Sequence, residues 1–118
     1  MLIVDDHRLF AEALAAILAT DDRFEVVGQA HNGETAVELA AAEKPDVVLM
    51  DLQMPKLDGI EATKQITKQR RSTRVLMLTG SSSSADVARA REAGAAGYVT
   101  KDRIASELIG SIVEAAGK

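Results

Sequence analysis

A chain of 118 residues with formal net charge −4, 47% hydrophobic and 27% charged residues has the size and composition of one globular domain, with a core that needs no disulfide or structural metal. The acidic balance argues against a nucleic-acid surface on this segment, and the absence of cysteine excludes thiol chemistry and fits a reducing cytoplasm. Apolar runs are too short to span a bilayer and no secretory leader precedes them, so no membrane association is expected. With aromatics at only 3%, the core falls to Leu, Ile, Val, Ala and Met.

Taken in order, short β-rich runs alternate with segments of helical period, the pattern of an α/β domain. Strands are expected at Leu2–Val4, Phe24–Ala30, Asp46–Met50, Arg74–Thr79 and Gly97–Thr100. The third and fourth are continuously apolar, as parallel strands covered on both faces should be. After the first strand, Phe10, Leu14, Ile17 and Leu18 recur at helical spacing. Pro45 ends a second helix built on Val37, Leu39 and Ala40 to Ala42. Asp58, three residues before Glu61, marks the start of a third as a capping-box variant. A fourth begins within Ser81 to Ser84, after a "GSSSS" loop, and stops near Gly94, suited to a left-handed C-terminal position. Ile104, Leu108 and Ile112 form the apolar stripe of the last.

Right-handed crossovers leave the C-terminal ends of all parallel strands on one edge. That edge collects Asp5 and Asp6 after the first strand, Asp51 after the third, Thr79 at the end of the fourth and Lys101 after the fifth, where open α/β sheets bind ligands. Three neighbouring carboxylates raise one another's proton affinity, and a cation resolves the conflict. With oxygen donors only, the choice is Mg²⁺ over zinc. Mg²⁺, an ammonium and a hydroxyl together suit a transferring phosphoryl group, and a carboxylate there can act as nucleophile. Asp51, at the most central strand and before the turn "LQMPKLDG", is the best candidate.

At "VDDH", "MDLQMPKLDG" and "GYVTKD" the chain resembles the receiver domain of two-component response regulators (CheY-like), most closely the NarL/FixJ subfamily with a LuxR-type helix-turn-helix output. The resemblance implies a doubly wound, flavodoxin-like sheet of order 2-1-3-4-5. It implies that Asp51 accepts phosphate from a sensor histidine kinase, with Mg²⁺ held directly by Asp6, Asp51 and the backbone carbonyl of Gln53 and through water by Asp5. Thr79 and Lys101 would bind the phosphoryl oxygens, Tyr98 would be the switch aromatic, and Gln53 and Ser81 would tune aspartyl-phosphate lifetime. It further implies a signalling domain spanning residues 1–118 rather than an enzyme, limited to self-phosphorylation and slow autodephosphorylation. A phosphorylation-linked homodimer through the fifth helix or its neighbours, kinase pairing on roughly Leu9 to Leu18, and DNA contact only through an output domain outside this chain complete the expectation. Asp102 replaces the family's usual proline after the lysine, so a trans bond is expected there, and Gly80 stands where alanine is frequent.

Plainer readings compete. Asp6 alone could cap the first helix, and Asp51 alone could be a loop carboxylate. Tyr98 also suits a half-buried strand or an interface, His7 and His31 read as surface histidines, and Met50, Met54 and Met77 read as packing. "GAAG" and the closing "AAGK" complete no nucleotide motif. Haloacid-dehalogenase-like phosphatases share the Asp, Mg²⁺, Thr and Lys set but need a second Asp two residues after the nucleophile, where this chain has Gln53. A phosphate-independent module would normally lack one of the acidic positions, and a stand-alone receiver would carry no output domain.

Overall fold

The computed structural model describes residues 1–52, 54, 57–80 and 84–117. Five strands, β1 (Leu2–Val4), β2 (Gly28–Ala30), β3 (Val47–Asp51), β4 (Arg74–Thr79) and β5 (Gly97–Thr100), alternate with α1 (Arg8–Ala19), α2 (Gly33–Glu43), α3 (Gly59–Gln69), α4 (Ser84–Glu92) and α5 (Ile104–Ala116). All pairings are parallel and the strand order is β2-β1-β3-β4-β5, the doubly wound arrangement expected from the sequence.

The continuous apolar strands serve two cores. Successive side chains of a strand point to opposite faces. Val48, Met50, Val75 and Met77 therefore meet α2, α3 and α4 through Ala36, Ala40, Ala62, Ile66 and Ala90. Val47, Leu49, Leu76 and Leu78 meet α1 and α5 through Leu14, Leu18, Leu108 and Ile112. The first helix turns slightly from its expected stripe: Ala11 is buried with Leu14 and Leu18, while Ile17 is 37% exposed.

Helix boundaries follow the local chemistry. Asn32 accepts from the Thr35 N–H and Asp58 from the Glu61 N–H, each at 2.9 Å. Before Pro45, where right-handed helical backbone is disfavoured, Lys44 turns left-handed with φ 48°. Gly94 does the same after α4 with φ 105°, and the Ala95 N–H returns to the Ala90 carbonyl. The first helix is not capped by Asp6: His7 holds the cap position without a side-chain bond, and the Asp5 carboxylate takes the His7 N–H at 2.8 Å.

Two strand limits differ from expectation. The second strand is shorter than Phe24–Ala30 because β1 begins at Leu2, which pairs with Gly28. Beyond it the Val27 N–H reaches only the Met1 carbonyl, while Phe24 and Val26 pack on the α1–α5 core without joining the sheet. The third strand runs through Asp51, paired with Leu78, so this carboxylate sits on the ladder itself. No cis bond occurs among the described residues, and Lys101–Arg103 form a short 3₁₀ turn.

The start of α3 lies against the end of β3. The Gly59 N–H donates to the Leu52 carbonyl at 3.0 Å, and a Cβ on Gly59 would collide with the Asp51 carbonyl oxygen and the Leu52 backbone. Gly110, on the exposed side of α5, has open space around such an atom. Gly59→Ala is therefore expected to cost about 2–4 kcal/mol through overpacking against backbone. Gly110→Ala should gain about 0.5–1 kcal/mol from helix propensity. Urea unfolding of both variants checks the pair; equal effects would show that the approach at Gly59 is not limiting.

Candidate functional site

At the C-terminal edge of the sheet the neighbouring ends of β1 and β3 bring Asp5 beside Asp51, one residue beyond the Val4–Met50 pair. Asp5 is fully buried and Asp51 is 5% exposed. Lys101, at the end of β5, extends past β4 to both: its Nζ lies 3.2 Å from Asp5 Oδ2 and 3.5 Å from Asp51 Oδ1. The same ammonium stands 4.6 Å above the Phe10 ring, a cation–π contact that steadies a long side chain. Asp6 adds a third carboxylate. Its Oδ1 is buried and has no hydrogen-bond partner, which is costly for a carboxylate oxygen unless something else meets it.

Charge crowding has a measurable consequence at Asp51. Burial first, then the negative charge of Asp5, push its carboxyl up from the ordinary 3.8 to about 6; Lys101 opposes the rise and the nearby Asp6 carboxylate adds to it. One ammonium does not offset three carboxylates, the condition in which a divalent cation is favourable. Atoms of Asp5, Asp6, His7 and Asp51 capable of metal ligation lie within 4.8 Å of one another.

Thr79 closes β4 opposite Thr100 and is 4% exposed. With His7, Asp51, Asp86 and Lys101 it lines a cavity of about 240 Å³, so four of the sequence-selected side chains, Asp5, Asp51, Thr79 and Lys101, converge, with Asp6 at their side. Tyr98 does not join them: it is 39% exposed and lines open hollows beside α5. Gln53 and Ser81, expected to tune phosphate lifetime, lie outside the described residues. Met50 and Met77 are core residues as expected, and Met54 packs at the edge of the α2–α4 core.

Several neighbours escaped the sequence reading. His7 stands at the carboxylates, its Nδ1 3.2 Å from Asp6 Oδ1; its adjacency to "DD" was the available signal. His31 is half-buried rather than free on the surface, with Nδ1 2.9 Å from the Asp5 carbonyl. Phe10 followed a helical stripe and read as core alone. Asp86 gave no signal, because its place at the cavity depends on how α4 is set on the sheet.

Residues 1–113 match the family model described as the response regulator receiver domain. The chain belongs to this receiver family. The transcriptional regulatory protein DegU of Brevibacillus brevis is 40% identical over 95% of this chain and 48% of its own length. The response regulator domain of Thermotoga maritima CheB superposes with a TM-score of 0.93 at 36% identity, over 99% of this chain and 95% of that one. The receiver domain of Mycobacterium tuberculosis NarL gives 0.92 at 34% identity, over 98% and 94%. The family and the NarL-type resemblance read from the motifs are thus the right ones, and the chain spans about half the length of the curated relatives it matches. Among the described residues of this receiver no helix is long and apolar enough to cross a membrane.

Because the Asp51 carboxyl titrates near 6 in the folded chain and near 3.8 when ordinary, the folded state holds the extra proton between those values. Stability without metal therefore falls as pH rises through that window. Asp51→Asn removes the charge. At pH 7.5 it should raise metal-free stability by about 1–2 kcal/mol once solvent screening is included, and the gain should vanish near about pH 4. Thermal melts at both pH values, in chelator, test this; a gain independent of pH would refute the charge origin.

Proposed function

We propose that the chain is the phosphorylation-controlled receiver of a two-component system and that Asp51 is its phosphoacceptor. The observation that carries the reading is the shared ion contact of Lys101 with Asp5 and Asp51 beside a buried Asp6 oxygen that makes no hydrogen bond. Asp6, Asp51 and the Gln53 carbonyl would hold Mg²⁺, with Asp5 acting through water; the buried Asp6 Oδ1 without a hydrogen bond and the three carboxylates of the cluster fit a hard cation. When bound, Mg²⁺ supplies neutralisation of the carboxylates and of the incoming phosphoryl charge.

The chain's own residues then perform an in-line displacement. An Asp51 carboxylate oxygen attacks the phosphorus of a kinase phosphohistidine; the P–O bond forms as the P–N bond breaks, and the departing imidazole keeps the electron pair and is protonated from solvent. With a small acyl phosphate the leaving group is the carboxylate. Lys101 needs little travel, since its ammonium is already 3.5 Å from Asp51, and preorganised charge of this kind does most of the work in phosphoryl transfer. Thr79 offers its hydroxyl to a phosphoryl oxygen. With Gln53 where an acid would stand, nothing protonates a leaving alcohol, so the chemistry is self-phosphorylation and slow self-dephosphorylation rather than phosphatase turnover.

Signal output is a shift between two populations of one fold. Phosphate favours the state in which Thr79 and Lys101 engage it, and Tyr98, exposed beside α5, changes its packing in step. A contact difference of roughly 1.4 kcal/mol alters the ratio tenfold. The partners are a cytoplasmic sensor histidine kinase at α1, a second copy of the receiver when phosphorylated, and DNA only through an output domain outside residues 1–118. Gln53 and Ser81 set how water reaches the aspartyl phosphate.

Intact-mass measurement after incubation with acetyl phosphate should show one added phosphoryl group that requires Mg²⁺ and is lost in Asp51→Asn. Asp6→Ala should also abolish metal-dependent labelling while leaving the metal-free domain folded and no less stable. Equal labelling of Asp51→Asn would put the acceptor elsewhere.

A further inference from the structure

We infer that the apolar pocket between the C-terminal ends of α2 and α3 is a binding site for a small organic carboxylate, with Arg70 and Lys44 holding the acid group and the pocket taking an apolar body. It lies where β3 and β4 begin, at the opposite edge of the sheet from Asp51, and no step of the proposed phosphorylation uses it.

The pocket is preformed and its walls are tied together. Its volume is about 310 Å³, at the small end of ligand sites. Ala40 and Ile66, both buried core residues, and Ala41 give it an apolar lining, with Lys44, Arg70 and Thr73 around them. Bonds between the two connecting segments fix its shape: the Thr73 hydroxyl donates to the Pro45 carbonyl at 2.9 Å, the Arg74 N–H to the Asp46 carbonyl at 2.8 Å and Arg70 Nη1 to the Lys44 carbonyl at 3.0 Å. A site held in this way loses little freedom when it binds.

Arg70 supplies the recognition. Its Nε donates to the Ser72 hydroxyl at 2.9 Å, so neutral acceptors hold the guanidinium in place and leave its charge uncompensated. The remaining N–H groups on Nη1 and Nη2 suit a carboxylate. Cations at helix C-termini also answer the helix dipole, which accounts for Arg70 on the Lys44 carbonyl but not for the distribution of charge. Among the described residues Lys44, Lys68, Arg70, Arg71 and Arg74 form no ion pair, although Glu43 and Asp46 are close in sequence; every other described Lys or Arg apart from Arg8 and Arg91 has a carboxylate partner. A chain of net charge −4 thus gathers uncompensated cations at the end of the sheet that carries an apolar pocket. An acid with an apolar body complements both. An inorganic anion would leave the pocket unfilled, and a neutral apolar molecule would leave the charge unmet.

Amide correlation NMR of the 118-residue chain, titrated with sodium phenylacetate and, in separate arms, phenylacetamide and sodium acetate, tests the inference. Saturable shifts are expected with phenylacetate at residues 40–46 and 66–74, which build the pocket. Phenylacetamide keeps the ring without the charge and acetate the charge without the ring, so each should bind at least about fivefold more weakly. Arg70→Gln should weaken phenylacetate by a similar factor. Ala41→Leu fills the pocket with a good helix former at an exposed position and leaves every cation in place; it should weaken binding as much. Equal binding of phenylacetamide, full affinity in Ala41→Leu, or the absence of saturable shifts with phenylacetate would overturn the inference. Saturation by a glutamate-rich peptide alone would also overturn it and make the surface a dock for acidic proteins.

Discussion

Everything at the sheet edge answers to the crowding of Asp5, Asp6 and Asp51 around a single ammonium. Asp5 has no solvent exposure and cannot disperse its charge into water, so it depends on Lys101 and on the His7 N–H. Breaking one partner of a buried pair costs far more than the pair contributes. Lys101 must in turn come from the far side of β4, with two strands, β3 and β4, between β5 and the β1 strand that Asp5 follows. Only a long, flexible cation spans that distance, and the Phe10 ring beneath it limits the freedom that such a side chain would otherwise keep.

Holding like charges together requires a scaffold that does not relax. The central strands supply it, since Val48 to Met50 and Val75 to Leu78 are buried on both faces, and a close-packed interior transmits strain instead of absorbing it. The two layers do this differently. On the α2–α4 side, Ala36, Ala40, Ala62, Ala90 and Ala93 carry much of the contact, which lets helices approach the sheet closely. On the α1–α5 side, Leu14, Leu18, Leu108 and Ile112 fill the space with larger groups. Gly59 continues the close approach to the site itself, where the start of α3 lies against the Asp51 carbonyl.

Most of this was legible in the sequence because periodicity and topology are local or rule-bound. Continuous apolar runs identified the central strands, and the crossover rule then collected Asp5, Asp6, Asp51, Thr79 and Lys101 on one edge without any distance being known. Limits came where another element decides the outcome. The N-terminal half of the expected second strand stays outside the ladder, which starts at the Leu2–Gly28 pair, a limit that Phe24 to Val27 cannot reveal. Asp6 has the residue type of a helix cap, but the backbone places His7 there. Phe10 and Asp86 meet the site through the setting of α1 and α4 on the sheet, and side-chain convergence of that kind has no one-dimensional signature. His7, beside the diagnostic pair, is exposed as a surface histidine would be and yet stands 3.2 Å from Asp6 Oδ1, because exposure and contact are not exclusive.

The same crowding that destabilises the metal-free chain gives the centre its sensitivity to charge. Anything that binds only the folded state adds stability in proportion to its affinity, and here the gain includes relief of the repulsion that lifts the Asp51 carboxyl to about 6. Adding a phosphoryl group would replace the single charge of the Asp51 carboxylate by the two of an acyl phosphate, a net gain of about one negative charge. Lys101, now 3.2 Å from Asp5 and 3.5 Å from Asp51, would then be drawn toward the greater charge, and Asp5 would keep a cationic partner only through whatever ion the carboxylates hold. Metal occupancy and the position of Lys101 would therefore be coupled through Asp5, whose side chain has no solvent exposure. A substitution there acts on both at once, whereas one at Asp6, partly exposed, acts chiefly on the cation.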